Sequence, residues 1–155
     1  MKKAIILALV VLSLPITVMA TQNNVIISPA GSQPTTIGAA DYFTGTAKVD
    51  SRFQRSSPAR IGGGIVSFDA GARTAWHTHP LGQTLIVSSG TGWVQQSGNQ
   101  AQQIKTGDIV WIPPGVKHWH GASATQPLVH IAISESLEGS SVTWMEKVTD
   151  SQYPD

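Results

Sequence analysis

The chain has 155 residues, of which 41% are hydrophobic and only 12% charged, and its formal charge is +1. This supplies apolar material for one core, and it excludes a disordered charged tail, a nucleic-acid platform and a coiled coil. The absence of cysteine excludes disulfides, thiolate catalysis and thiolate metal sites as well.

Lys2 and Lys3 form a positive head, Ala4 to Leu14 is an almost unbroken apolar run, and Val18-Met19-Ala20 follows the break at Pro15. Residues 1–20 therefore read as a signal peptide, since about 20 apolar residues are needed to span a bilayer. Its removal leaves eight Lys and Arg against nine Asp and Glu. The expectation is a periplasmic or secreted protein with no stable membrane insertion and no affinity for nucleic acid. Residues 21–40 are rich in Thr, Asn, Ser, Pro and Gly and read as an arm or linker, with a short strand at Val25–Ile27. The compact domain is expected over 41–155.

Within that domain, short apolar stretches alternate with turn residues. Strands are predicted at Gly45–Lys48, Gly64–Phe68, Ala75–His79, Gln83–Ser88, Gly92–Gln96, Ala101–Ile104, Ile109–Ile112, Lys117–Gly121 and Leu128–Ser134. Gly62-Gly63-Gly64 reads as a bend or bulge entering a strand rather than a phosphate loop, because no GK[ST] follows. A short helix is expected around Val142–Val148. Turn signals every eight to twelve residues point to an all-β barrel or sandwich.

All five histidines lie between residues 77 and 130. His77 and His79 are two apart on a predicted strand, so both leave the same face; His118 and His120 repeat the pattern. Two such pairs on neighbouring strands converge inside a small barrel, where imidazoles suit several divalent metals. His130 lies in an apolar strand, where a buried imidazole needs a partner. Trp76, Trp111 and Trp119 read as packing residues, while Trp93 and Trp144 have no assigned place. Arg73 and Lys117 read either as contacts for an anionic substrate or as solvated loop charges.

These residues resemble the cupin superfamily. Its first motif, G-x5-H-x-H-x3/4-E-x6-G, is matched in spacing by Gly71, His77, His79, Gln83 and Gly90. Its second, G-x5-P-x-G-x2-H-x3-N, is matched by Gly107, Pro113, Gly115 and His118. Gln83 stands in place of the Glu and Ala122 in place of the Asn. A narrower resemblance links residues 41–153 to the small bacterial cupin hydroxynitrile lyases, which are manganese-dependent and (R)-selective. It rests on Asp41-Tyr42-Phe43-Thr44-Gly45-Thr46, on Gly71 to His79 with Pro80-Leu81-Gly82-Gln83, on Lys117 to Ala122, and on Trp144 to Asp150.

The resemblance implies a single cupin β-barrel, the double-stranded β-helix or jelly roll. It also implies a divalent metal held by His77, His79, Gln83 and His118, with Mn2+ favoured over Fe2+ or Zn2+. A neutral Gln in place of Glu leaves the full metal charge to polarise a substrate oxygen. His120 is assigned to the pocket as general base or donor, and the resemblance places His130 there too as the second catalytic residue. The implied activity is carbon–carbon lyase chemistry on a small cyanohydrin, in a homo-oligomer, dimer or tetramer. An iron dioxygenase and a non-catalytic binding module remain the alternatives.

Overall fold

The computed structural model describes residues 24–154, so the expected signal peptide lies outside the described residues. In chain order the strands are β1 (Thr36–Ile37), β2 (Phe43–Thr44), β3 (Ala47–Gln54), β4 (Ile61–Phe68), β5 (Arg73–Thr74) and β6 (His77–Thr78). They continue with β7 (Gln83–Gln96), β8 (Gln102–Lys105), β9 (Ile109–Ile112), β10 (His118–Ala122), β11 (Leu128–Glu135) and β12 (Thr143–Trp144). A single 3-10 turn at Asp150–Gln152 is the only helical element among the described residues. The molecule is all-β.

Every pairing is antiparallel. One sheet runs β1-β3-β4-β11-β7-β9; the other holds β8, the second half of β7, β10, the short β5 and β6, and β2 and β12 at its edge. The fourteen-residue β7 belongs to both and curls one sheet into the other. Its two halves had read as separate strands because Ser88-Ser89-Gly90 looks like a turn; here Gly90 takes φ +84° and bends the strand without ending it.

The buried core follows from period-two alternation. Val66 and Phe68 of β4, Val87 and Val94 of β7, Ile104 of β8 and Leu128 of β11 point inward with Ala47, Ala72 and Ala122. A second cluster of Trp76, Trp119 and Val148 packs on the outer side of the histidine-bearing sheet, with Trp93, Ala101 and Tyr153 half-buried against it. Trp76 and Trp119 are thus packing residues as expected, but Trp111 is 58% exposed. The alternation of β9 turns Ile112 inward and Trp111 outward.

The predicted helix at Val142–Val148 is instead β12 and an extended tail. Thr143 and Trp144 pair with Thr78 and His77; the Trp76 N–H donates to the Glu146 carbonyl and the Met145 N–H to the Trp76 carbonyl. The sheet edge takes up these backbone groups, which a short isolated helix would leave to solvent. The predicted strand over Ala75–His79 is broken by a kink at Ala75–Trp76, leaving β5 and β6 on either side. Val25–Ile27 forms no strand and is exposed, whereas Thr36–Ile37 joins the sheet beside β3.

Candidate metal centre

His77 opens β6 and His118 opens β10, directly across the ladder from one another. His79 follows β6, and Pro80-Leu81-Gly82 then turns the chain so that Gln83 opens β7. Only glycine fits this turn. Gly82 has φ +83°, and a Cβ there would lie 2.5 Å from the Trp111 ring and 2.7 Å from the Ile112 carbonyl oxygen. The exposed Trp111 therefore closes over the turn that sets Gln83.

His77, His79 and His118 are buried, and a ligand atom from each lies within 4.8 Å of the others. Their tautomers follow from their partners. His77 Nδ1 donates to the Ala75 carbonyl at 3.0 Å, His79 Nδ1 to Ser141 at 2.5 Å, and His118 Nδ1 to Val116 at 2.9 Å. A carbonyl only accepts, so each Nδ1 carries the hydrogen and each Nε2 presents a lone pair. Backbone carbonyls that orient imidazoles in this way are the usual outer support of a metal site.

Burial keeps these rings neutral. His77 and His79 are pushed below the ordinary imidazole value, chiefly by desolvation, and His118 is held at about 4 for the same reason. His79 Nε2 is buried with no hydrogen-bond partner. Gln83 Oε1 lies 3.1 Å from His118 Nε2, so two acceptors face each other across the gap. Converging buried lone pairs with no donor between them are costly, and this donor set fits a divalent cation.

His120 and His130 are held differently. His130 Nε2 lies 3.1 Å from His120 Nδ1, and His120 Nε2 is buried and unpartnered. His130 is fully buried, one layer behind His120, with Phe68 against both rings. Burial first, and then the neighbouring imidazoles, hold His120 well below its usual value; desolvation holds His130 at about 4. The structure therefore brings His77, His79, Gln83 and His120 to the wall of one cavity, with His118 beside them and His130 behind.

That cavity has a volume of about 880 Å³. Beyond the histidines it is bounded by Tyr42, Phe43, Phe68 and Trp144, by Gly62 to Gly64, and by Thr36 to Ala39. Trp144 stacks on Tyr42 at 4.8 Å and 13°, and rests on the His77 ring at 4.8 Å. Sequence reasoning left Trp144 unplaced, since its pairing with His77 spans 67 positions. Arg73 is no substrate contact: it is buried, donates to Asp150 Oδ1 at 2.6 Å, and lies over the Tyr153 ring. Lys117 pairs with Glu146 on the surface.

Residues 64–134 match the model of the cupin domain, and over 127 residues the chain is 55% identical to a curated relative, covering 82% of this chain and 97% of that protein. The chain belongs to the cupin family. That relative is the (R)-mandelonitrile lyase of Granulicella tundricola. Among solved structures, a cupin-like protein from Thermotoga maritima aligns with a TM-score of 0.71 at 40% identity, over 82% of this chain and 93% of its own. A cupin 2 conserved barrel domain protein from Rhodopseudomonas palustris aligns at 0.60 with 15% identity, over 77% and 79%, which speaks for the fold alone.

Proposed function

We propose that this protein is a metal-dependent lyase of the hydroxynitrile-lyase type, cleaving a cyanohydrin to an aldehyde or ketone and cyanide. The observation that carries the reading is the buried, unpartnered Nε2 of His120 on the same cavity wall as the converging imidazoles. The likeness to a mandelonitrile lyase supports it. His77, His79, Gln83 and His118 hold the divalent metal, with Mn2+ favoured. When bound, the metal acts as a Lewis acid that lowers the pKa of a substrate hydroxyl.

His120 handles the proton. With its Nδ1–H donated to His130, Nε2 is a free base facing the cavity, and its lowered pKa keeps it unprotonated at neutral pH. Nε2 takes the hydroxyl proton as the C–C bond breaks, and returns it to the departing cyanide. The histidine ends as it began, and the products are the carbonyl compound and HCN. His130 serves as a positioning residue that holds the His120 ring through its Nδ1. Tyr42, Phe43 and Trp144 give an apolar wall for the carbon skeleton and keep water from the reacting bond.

The mature chain is exported to the periplasm or beyond, and it assembles as a homo-oligomer. Val25, Ile26 and Ile27 are 91%, 74% and 81% exposed; an apolar run of this kind is covered at low cost by a second copy. The decisive assay is release of benzaldehyde from mandelonitrile after stripping the metal and restoring Mn2+, Fe2+ or Zn2+ separately. Mn2+-dependent release with one enantiomer preferred is the expected result. Oxygen consumption with Fe2+ and no benzaldehyde would replace the lyase with an oxygenase.

A further inference from the structure

The cavity has a charged feature that cyanohydrin cleavage does not use. β3 carries a bulge: Asp50 faces Ile65 and Phe53 faces Gly63, so Ser51 and Arg52 together stand opposite Gly64. Ser51 takes the left-handed conformation, φ +48°, that such an insertion requires. Regular alternation from Val49, which lines the cavity, would turn Ser51 and Phe53 inward and leave Arg52 outside. With the bulge, Arg52, Phe53 and Gln54 all border the cavity. Gly64 accommodates this, since a Cβ there would already lie 3.4 Å from Arg52 Cγ and 3.2 Å from the Asp50 carbonyl.

Arg52 is the only Lys, Arg, Asp or Glu among the described residues that line the cavity. The ion pairs among the described residues join Arg60 to Glu135, Arg73 to Asp150 and Lys117 to Glu146, and leave Arg52 out. The metal ligands add no negative charge, because Gln83 stands where a carboxylate would and an imidazole ligates as its neutral form. The cavity therefore has a cation at its rim on one sheet, an uncompensated cation site on the other, and apolar walls between. Such a field draws in anions, and guanidinium matches a carboxylate with two parallel hydrogen bonds.

We propose that the substrate of this site carries, besides the oxygen that meets the metal, a carboxylate that Arg52 binds. The substrate class is an oxo or hydroxy acid, or its cyanohydrin, whose two functional groups are separated by an apolar spacer. This rests on the reading above only in that a carbonyl or hydroxyl oxygen sits at the metal site.

Binding of matched probes to the Mn2+-loaded full chain tests it by calorimetry. The pairs are 3- and 4-formylbenzoate against their methyl esters, and the flexible 5-oxopentanoate against pentanal. At least one carboxylate is expected to bind about tenfold tighter than its neutral partner, the size of a charge-assisted hydrogen bond, with the gap shrinking in high salt. R52L, which keeps the stem over Gly64, should erase that gap by weakening the carboxylate alone, and R52K should keep part of it. Unchanged melting curves show that the variants fold.

Equal affinity within every pair, or equal losses on both members in R52L, overturns the inference and leaves the lyase reading intact. An Arg52-dependent preference in a protein that cleaves no cyanohydrin upholds the inference and overturns the lyase. Failure of all six probes to bind overturns the inference, while mandelonitrile cleavage alone decides the lyase reading.

Discussion

The five histidines form one buried cluster but are held in two ways. His77, His79 and His118 each donate Nδ1–H to a backbone carbonyl, whereas the ring nitrogens of His120 and His130 find their one hydrogen bond in each other. A carbonyl never donates, so the first three rings have a fixed tautomer and a fixed lone pair, which is what a metal ligand needs. An imidazole partner can either donate or accept, so the His120–His130 pair can present Nε2 as a base or as an N–H. Under the proposed lyase reading, the difference separates ligand from proton carrier within a few ångströms. Residue type and spacing alone make the two groups look alike.

Replacing His118 or His77 by Ala removes a ligand, and metal affinity should fall by more than about 100-fold together with activity; dialysis against Mn2+ with metal counting checks it. His120→Ala should lower kcat for cyanohydrin cleavage by about 10²- to 10⁴-fold while the metal count stays at the wild-type value. Loss of metal in that variant would move His120 into the ligand group.

Gln83→Glu sharpens the electrostatic side of the account. The added negative charge should tighten metal binding and lower kcat by about tenfold, since each 1.4 kcal/mol of lost polarisation costs that much rate; paired metal titration and kinetics would show it. Trp144→Ala removes an aromatic wall against His77 and Tyr42. It should raise KM for an aryl substrate by about tenfold, with a smaller effect on a short aliphatic one.

The smallest effect concerns pH. His130 has a pKa of about 4 in the folded protein against 6.5 when unfolded. Between those values the unfolded chain binds the proton and the folded chain does not, so this contribution is complete above about pH 6.5 and declines as pH falls towards 4. In His130→Phe the melting temperature should fall less steeply between pH 6.5 and 4 than in the wild type. Thermal melts across that range measure the slope.

The all-β fold and the histidine set were legible because their signals are local. Turn residues punctuate the strands, and H-x-H places two rings on one face wherever the strand lies. What depended on distant pairing was not legible. Trp144 reaches the site only because β12 pairs with β6, and Val142–Val148 in isolation resembles a helix as much as an edge strand. That Trp111 closes over the Gly82 turn is likewise a contact between distant segments. His130 lies behind His120 rather than on the cavity wall because Phe68 packs against both rings. Arg52 was invisible for a related reason: a bulge is a property of two strands in register, and the β3 sequence gives only one.

Three buried, neutral imidazoles with converging Nε2 atoms form the proposed hold on a divalent metal. The most direct measurement is the metal content of the purified protein, taken before and after chelation and after re-equilibration with Mn2+, alongside His118→Ala. One metal per chain, lost on chelation, restored by Mn2+ and absent from the variant is the predicted result. A folded wild-type protein that takes up no more metal than His118→Ala would contradict it.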